Sequence, residues 1–325
     1  MLILKARLLV GIPYWRTYVF NCNLYHLEVI MTKELIFKGV GTALITPTNE
    51  KGIDYENLEK VIDFQIKEGI NALIIAGTTG EGSTLDDKEH KELLKFAKEK
   101  INHRVPMVAG VGSNDTNYAC SLTKYACEIG VDGLLVVTPY YNKATQYGLI
   151  QSYTAIAKVS NKPLILYNVP SRTGVNIEPE TYLELSKVDN ITSIKEANGN
   201  LTKIMDAFNL VGDKMYIYSG NDDEITPILS MGGMGVISVL SNMLPKETVE
   251  ICDKFFAGDV KGSRELQLKY LPLIRALFSE VNPIPIKSAM AKLGYCDNYL
   301  RLPLTPMNKD KEAKMFKIMQ ELNII

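Results

Sequence analysis

The chain has 325 residues, of which 46% are hydrophobic and 22% charged, and its formal net charge is −1. The near-neutral charge argues against a polyanionic partner such as nucleic acid, and no apolar run is long enough to span a bilayer. This length suits one large α/β barrel with an appendage, or two domains.

The cysteines and histidines are scattered along the chain. The cysteines are Cys22, Cys120, Cys127, Cys252 and Cys296. An odd number of cysteines without a disulfide framework predicts reduced thiols in a cytoplasmic protein. The three histidines, His26, His90 and His103, have no other ligand type as a neighbour. We therefore expect no metal site.

Residues 1–30 differ from the rest of the chain, because they are rich in Leu, Tyr, Val and Asn. Basic residues interrupt the apolar run at Lys5, Arg7 and Arg16, which makes it a poor signal peptide and excludes a membrane span. We predict that the segment is an extension outside the folded domain and that Met31 is the functional start. The alternative is a short helix packed on the barrel or on a neighbouring subunit.

From Gly39 onward, β-rich segments alternate with helical patterns. The predicted strands cover residues 39–47, 72–77, 106–111, 133–138, 164–169, 191–197, 215–219 and 235–240. The predicted helices cover residues 54–68, 86–100, 114–128, 145–159, 178–186, 201–209, 224–231 and 246–256. The strands are almost continuously apolar, as expected when both faces of a sheet are covered. Eight such repeats predict a (β/α)8 TIM barrel over residues 31–258.

After Asp259 the alternation stops, and residues 259–325 are predicted to form an all-helical C-terminal region. Its helices are expected around residues 259–279, 283–293 and 308–323. No G-x-G-x-x-G motif follows the first strand, which weakens the alternative of a dinucleotide-binding sheet.

The sixth predicted strand carries a lysine in its middle. Side chains alternate across a strand, so Lys195 faces the same side as Ser193 and Ala197, and Glu196 faces the other side. Lysine is rarely buried without a partner or a function. One interpretation is therefore an ion-paired or snorkelling lysine. The other is a desolvated amine that forms a Schiff base with a carbonyl substrate.

Polar motifs follow the predicted strands at their C-terminal ends, where TIM barrels hold their functional residues. They are GTTGEG at 77–82, TPYYN at 138–142, YNVPSRTG at 167–174, IKEANGN at 194–200, SGND at 219–222 and GVIS at 235–238. Each has a structural explanation by itself, such as a glycine turn, surface packing of a tyrosine or a loop ion pair. Together they supply hydroxyls, a guanidinium, backbone amides and an amine, which suit an anionic keto-acid substrate.

With GGMGVISV at 232–239 and NPIPIK at 282–287, these motifs run from residue 77 to residue 287. From Met31 to the C-terminus the chain resembles the dihydrodipicolinate synthase branch of the pyruvate-dependent, class I aldolase-like barrel family. The resemblance implies condensation of pyruvate with L-aspartate 4-semialdehyde, in the diaminopimelate route of lysine biosynthesis. It also implies that no cofactor is needed, because the covalent imine on Lys195 provides the electron sink.

The resemblance implies a role for eight residues. The catalytic positions are matched by Lys195, Tyr167, Thr78 and Tyr141. The substrate-binding positions are matched by Thr79, Arg172, Ile237 and Gly220. Tyr167 would donate and accept the proton, and Thr78 and Tyr141 would complete the relay. Thr79 and the Ile237 carbonyl would bind pyruvate, and Arg172 would pair with the carboxylate of the semialdehyde.

The resemblance further implies self-association. In the family, the tyrosine at the position of Tyr141 reaches into the site of a neighbouring subunit, which makes dimerisation part of catalysis. We expect a homotetramer built as a dimer of dimers.

Some family members are inhibited by lysine, bound where two subunits meet. Asn114, His90 and Tyr140 fit that site, whereas Asp87 and Tyr118 depart from the sensitive pattern. Tyr118 occupies the position of the carboxylate that pairs with the effector, so we expect weak or absent inhibition by lysine.

Two alternatives remain open. N-acetylneuraminate lyase and the 2-keto-3-deoxy sugar-acid aldolases share the lysine and the tyrosine, but they usually differ at the threonine pair and at the arginine. The residues Thr78, Thr79 and Arg172 favour the synthase. A catalytically silent barrel with a regulatory or binding role is the alternative from another class, and the joint presence of the catalytic residues argues against it.

Overall fold

The structure is a computed structural model that describes residue 31 and residues 33–325. The predicted extension at residues 1–30 therefore lies outside the described residues. The proposed start at Met31 and the division of the chain at residue 258 stay predictions.

Ten strands are present in the described part of the chain. They are β1 (Gly39–Ala43), β2 (Thr48–Asn49), β3 (Gly52–Ile53), β4 (Ala72–Ile75), β5 (Met107–Gly110), β6 (Gly133–Val137), β7 (Leu164–Asn168), β8 (Ile191–Glu196), β9 (Tyr216–Ser219) and β10 (Gly235–Ser238). Eight of them form a closed barrel in the order β1-β10-β9-β8-β7-β6-β5-β4. All neighbours in the barrel are parallel, and β1 closes it by pairing with both β4 and β10.

Twelve α-helices accompany these strands within the described residues. They are α1 (Tyr55–Lys67), α2 (Asp87–Ile101), α3 (Thr116–Glu128), α4 (Gln146–Lys158), α5 (Pro170–Thr173), α6 (Pro179–Leu185), α7 (Leu201–Val211), α8 (Ile225–Ser230), α9 (Pro245–Phe256), α10 (Val260–Leu277), α11 (Ile284–Lys292) and α12 (Lys309–Glu321). The predicted (β/α)8 barrel followed by helices is confirmed. None of the helices at residues 33–325 combines the length and the apolar character that crossing a membrane would need.

Several helix starts follow from local sequence signals. The side chains of Asp54, Asp86 and Thr145 accept hydrogen bonds from main-chain amides in the first turns of α1, α2 and α4. Such N-caps satisfy amides that have no partner within the helix. The caps explain why the predicted and observed helix starts agree closely.

Two small elements were not predicted. The β2–β3 hairpin directly follows the first predicted β segment at residues 39–47, in which the barrel strand itself ends at Ala43. The helix α5 interrupts the loop after β7. Both are too short for hydrophobic periodicity to identify.

The alternation of side chains across the strands divides the apolar core into two layers. One layer fills the barrel interior and includes Ile74, Ile165 and Ile237. The other lies between the strands and the surrounding helices and includes Ile194. Ala197 belongs to the interior layer, which confirms the predicted alternation around Lys195.

Candidate active site

Lys195 and Tyr167 lie side by side at the ends of two adjacent strands. They are register partners in the β7–β8 pair. Lys195 is 5% exposed, and its Nζ lies 4.1 Å from the centroid of the Tyr167 ring. The amine is therefore held against an aromatic face and largely away from bulk water.

The turn after β9 lies close to the stem of Lys195. The Gly220 amide donates a 2.7 Å hydrogen bond to the Glu196 carbonyl. A Cβ at residue 220 would lie 2.6 Å from Ala197 Cβ and 3.1 Å from Lys195 Cε. Glycine is required here because any side chain would displace the strand that carries the lysine.

The carboxylate that neighbours Lys195 in sequence points to the opposite side of the strand. Glu196 is buried and accepts hydrogen bonds from Asn168 Nδ2 at 2.9 Å, Asn198 N at 3.0 Å and Tyr182 OH at 2.9 Å. Burial raises the pKa of Glu196 to about 7, and these donors oppose that rise. Glu196 fixes the end of β8 and does not pair with Lys195.

A second buried carboxylate, Asp222, lies after β9. Its Oδ2 accepts hydrogen bonds from the amides of Val239 and Leu240, both at 2.9 Å. Burial raises the pKa of Asp222, while Ser238 and the charge of Lys195 act in the opposite direction. Asp222 therefore ties the end of β10, which carries Ile237, to the turn after β9.

The motif at residues 77–82, here called the threonine loop, follows β4. It turns tightly, because a Cβ on Gly82 would lie only 2.3 Å from the Ala76 carbonyl oxygen. Thr78 lines the cleft at the barrel mouth. Thr79 is buried, and its Oγ1 accepts a 3.0 Å hydrogen bond from Asn282 Nδ2.

The cleft has a volume of about 370 Å³, within the size range of small-ligand sites. Besides Thr78, its lining includes Tyr140, Tyr167 and Arg172. Arg172 lies on α5, and its Nη2 donates a 3.1 Å hydrogen bond to the main-chain oxygen of Asn282. The cleft thus presents hydroxyls and a guanidinium beside the ring that covers Lys195.

The structure brings together most of the predicted site residues, but not Tyr141. That side chain is 89% exposed, outside the cleft lining, and its φ of 73° lies in the left-handed region. Ile237 is buried in the barrel interior on β10. Within residues 33–325, no cluster of His, Cys, Asp and Glu side chains has an arrangement that would hold a metal ion.

The C-terminal region supplies site contacts that the sequence did not predict. Besides Asn282, Lys287 on α11 donates from Nζ to Glu81 Oε1 at 2.6 Å and to Thr48 Oγ1 at 2.7 Å. Both Lys287 and Glu81 are buried. The motif at 282–287 was the only feature of the sequence that pointed to these contacts. The sequence does not show that the motif contacts Thr79 and Glu81, about 200 positions earlier.

Comparisons with known proteins agree with this geometry. Residues 36–322 match the model of the dihydrodipicolinate synthetase family. The chain is 50% identical to a 4-hydroxy-tetrahydrodipicolinate synthase of Alkaliphilus oremlandii over 290 residues, which are 89% of this chain and 100% of that protein. It is 51% identical to the protein of that name from Clostridium perfringens strain SM101 over 272 residues, 84% of this chain and 94% of that protein.

Solved structures give the same result. The crystal structure of dihydrodipicolinate synthase from Thermotoga maritima matches with a TM-score of 0.88 and 40% identity, over 90% of this chain and 100% of that chain. A dihydrodipicolinate synthase from Cyanidioschyzon merolae with lysine bound matches with a TM-score of 0.87 and 36% identity, over 90% of this chain and 100% of that chain.

Proposed function

Because this chain belongs to the dihydrodipicolinate synthetase family and has 4-hydroxy-tetrahydrodipicolinate synthase activity, we propose that Lys195 performs the reaction by forming an imine with pyruvate. The predicted family and activity are confirmed: the enzyme is a lyase of the diaminopimelate route of lysine biosynthesis. The second substrate is L-aspartate 4-semialdehyde. The observation that carries the proposal is the buried amine of Lys195 against the ring of Tyr167.

The imine accounts for the carbon–carbon bond. Lys195 Nζ attacks the pyruvate ketone, and water leaves. The protonated imine withdraws electrons, so a methyl proton is lost and an enamine forms. The enamine carbon attacks the aldehyde, whose oxygen takes up a proton. The amino group of the former semialdehyde then attacks the imine carbon, closes the ring and displaces Lys195.

Each step moves a proton, and hydroxyl groups can pass it without carrying net charge. We assign Tyr167 as the donor and acceptor, since it is the register partner of Lys195. Thr78, which lines the same cleft, continues the relay. Tyr141 completes it from a second copy of the chain, in agreement with its exposure outside its own cleft.

Four residues bind the two substrates in this proposal. Thr79 and the Ile237 carbonyl hold pyruvate, and Gly220 leaves space beside the lysine stem. Arg172 pairs with the carboxylate of the semialdehyde, because a planar guanidinium can form two parallel hydrogen bonds with it. No cofactor or metal takes part.

We also propose the homotetramer, as a dimer of dimers in the cytoplasm. The exposure of Tyr141 supports the first interface. Exposed apolar side chains on α7, Leu201 and Met205, support a second interface. The near-neutral net charge argues against nucleic acid as a partner.

Inhibition by lysine is proposed to be weak or absent. Tyr118 and His90 line the same cleft, and burial lowers the pKa of His90, whose Nε2 lies 2.9 Å from the Gly110 carbonyl oxygen. A neutral imidazole and a phenol offer no negative charge to the ammonium groups of lysine. Steady-state assays with added lysine test this, and inhibition at sub-millimolar lysine contradicts it.

Borohydride trapping tests the imine. Reduction in the presence of pyruvate should leave a stable adduct on Lys195, located by peptide mass spectrometry. An enzyme that turns over without any trappable adduct, or with the adduct on another lysine, contradicts the proposal. Turnover of the semialdehyde, compared with sugar keto-acids, then tests the substrate assignment.

A further inference from the structure

One residue of the C-terminal region contacts two of the proposed substrate-binding residues. Asn282 precedes α11, and its side-chain Nδ2 donates to Thr79 Oγ1 at 3.0 Å. Its main-chain oxygen accepts from Arg172 Nη2 at 3.1 Å. Thr79 follows β4 and Arg172 follows β7, so Asn282 bridges two loops of the barrel mouth that are distant in sequence.

The direction of the first hydrogen bond determines what the Thr79 hydroxyl can do. A hydroxyl has one proton to donate and two lone pairs that accept. Asn282 Nδ2 occupies a lone pair, and within residues 33–325 no acceptor takes the Thr79 proton. The proton is therefore available to an anion in the site, which is what a pyruvate carboxylate requires.

The threonine loop is fixed to the same helix at a second point. Glu81 has a left-handed φ of 54°, and its Oε1 accepts the 2.6 Å hydrogen bond from Lys287 Nζ. Its Oε2 accepts from the Arg301 amide at 3.2 Å. With Glu81 held there, the distance between Thr79 and Asn282 cannot vary freely.

We propose that Asn282 is a positioning residue for pyruvate, and that it acts by keeping the Thr79 hydroxyl directed as a donor toward the substrate carboxylate. This inference rests on the proposed function. It assigns the side chain of Asn282 to the pyruvate subsite through Thr79, and its main-chain oxygen to the semialdehyde subsite through Arg172.

A single substitution of Asn282 should affect its side-chain contact but not its main-chain contact. Asn282→Ala removes the donor to Thr79 but keeps the main-chain oxygen that binds Arg172. The pyruvate concentration for half-maximal borohydride trapping should rise about tenfold, as expected when a hydrogen bond to a charged group is weakened. Trapping at saturating pyruvate should remain complete, and the KM for the semialdehyde should change by less than about threefold.

A double-mutant cycle separates positioning from a general loss of packing. Thr79→Val should raise the half-saturating pyruvate concentration by at least as much, and Asn282→Ala should add nothing to it, because both changes remove one interaction. Additive effects overturn the inference. Asn282→Leu, which has nearly the same size and carries neither an amide donor nor a charge, gives the same test if the alanine variant does not fold.

Asn298→Ala is the matched control. Its Nδ2 contacts Glu312 within the C-terminal region, at 3.4 Å, so the pyruvate dependence should stay that of the unmodified enzyme. Absence of a pyruvate adduct in the unmodified enzyme would refute the imine itself. A normal adduct together with unchanged pyruvate saturation in Asn282→Ala would refute only the positioning role.

Discussion

Two buried lysines of this chain have opposite surroundings. Lys287, fully buried, forms an ion pair with Glu81 at 2.6 Å and also binds Thr48. Lys195, 5% exposed, lies against the Tyr167 ring, and the described residues supply it with no ion pair. Lys287 fits the interpretation of a buried lysine as an ion-paired residue. Lys195 fits the other interpretation, a desolvated amine without an ion pair.

The difference teaches that burial alone does not identify a reactive amine. A carboxylate at contact distance stabilises the ammonium form and ties Lys287 to a structural task. The aromatic face beside Lys195 leaves the nitrogen without such an anion. The neighbouring Glu196 points to the other side of its strand, so the pleat itself keeps the closest carboxylate in sequence away from the amine.

Replacing Lys195 should have the largest effect. Lys195→Met nearly keeps the length of the side chain but removes the proposed nucleophile, so we expect kcat to fall at least about 1,000-fold. The melting temperature should not fall, because no ion pair is broken. Cyclic product formed at a comparable rate by this variant would contradict the imine mechanism.

The matching change at Lys287 should lower the stability of the fold. Lys287→Met leaves the charge of Glu81 buried without its partner, which costs about 3–5 kcal/mol in the free energy of unfolding. Urea denaturation measures this loss. The double variant Glu81→Gln with Lys287→Met removes both charges and should recover most of the stability. The folded fraction of Lys287→Met should still give the borohydride adduct on Lys195.

Tyr167→Phe tests whether the hydroxyl next to Lys195 takes part in proton transfer. The ring against Lys195 remains, while the hydroxyl to which we assign the proton transfer is lost. We expect kcat to fall about 100-fold, with the pyruvate adduct still detectable by mass spectrometry. Turnover within about twofold of the unmodified enzyme would exclude Tyr167 from the proton relay.

The smallest expected effect concerns Glu196, the buried acid that follows Lys195 in the sequence. Burial raises the pKa of Glu196 from 4.5 to about 7, so its contribution to stability is complete below pH 4.5 and is lost as the pH rises through about 7. The loss is about 1–3 kcal/mol. Urea unfolding should be measured at several pH values for Glu196→Gln and for the unmodified enzyme. The free energy of unfolding of the variant should increase relative to that of the unmodified enzyme as the pH rises from 4.5 to about 7. Parallel pH curves would contradict this.

The strands, helices and tight turns could be predicted from the sequence, because they depend on local patterns. Period-two and period-3.6 hydrophobicity identified the eight barrel strands and their helices, and the alternation along β8 identified the side to which Lys195 points. The glycine motifs marked the tight turns, such as that at Gly82. These features are encoded within a few residues, so no knowledge of the assembled chain was needed.

The contacts that join distant segments could not be predicted in this way. Lys287 and Glu81 are each ordinary charged residues in the sequence, and only the folded chain brings them together. The same holds for Asn282, whose partners Thr79 and Arg172 come from two different strand ends. Tyr141 is exposed and has a left-handed backbone angle, and no hydrophobic pattern in the sequence indicates either feature.

The attachment of the threonine loop to α11 has a consequence for the timing of synthesis. Ribosomes release a chain from its N-terminus, and early segments begin to fold while later ones are still being made. Glu81 must wait for Lys287 to emerge before it gains its counterion. A nascent chain that already holds Lys195 and all eight barrel strands would thus keep an incompletely anchored threonine loop until α11 is translated.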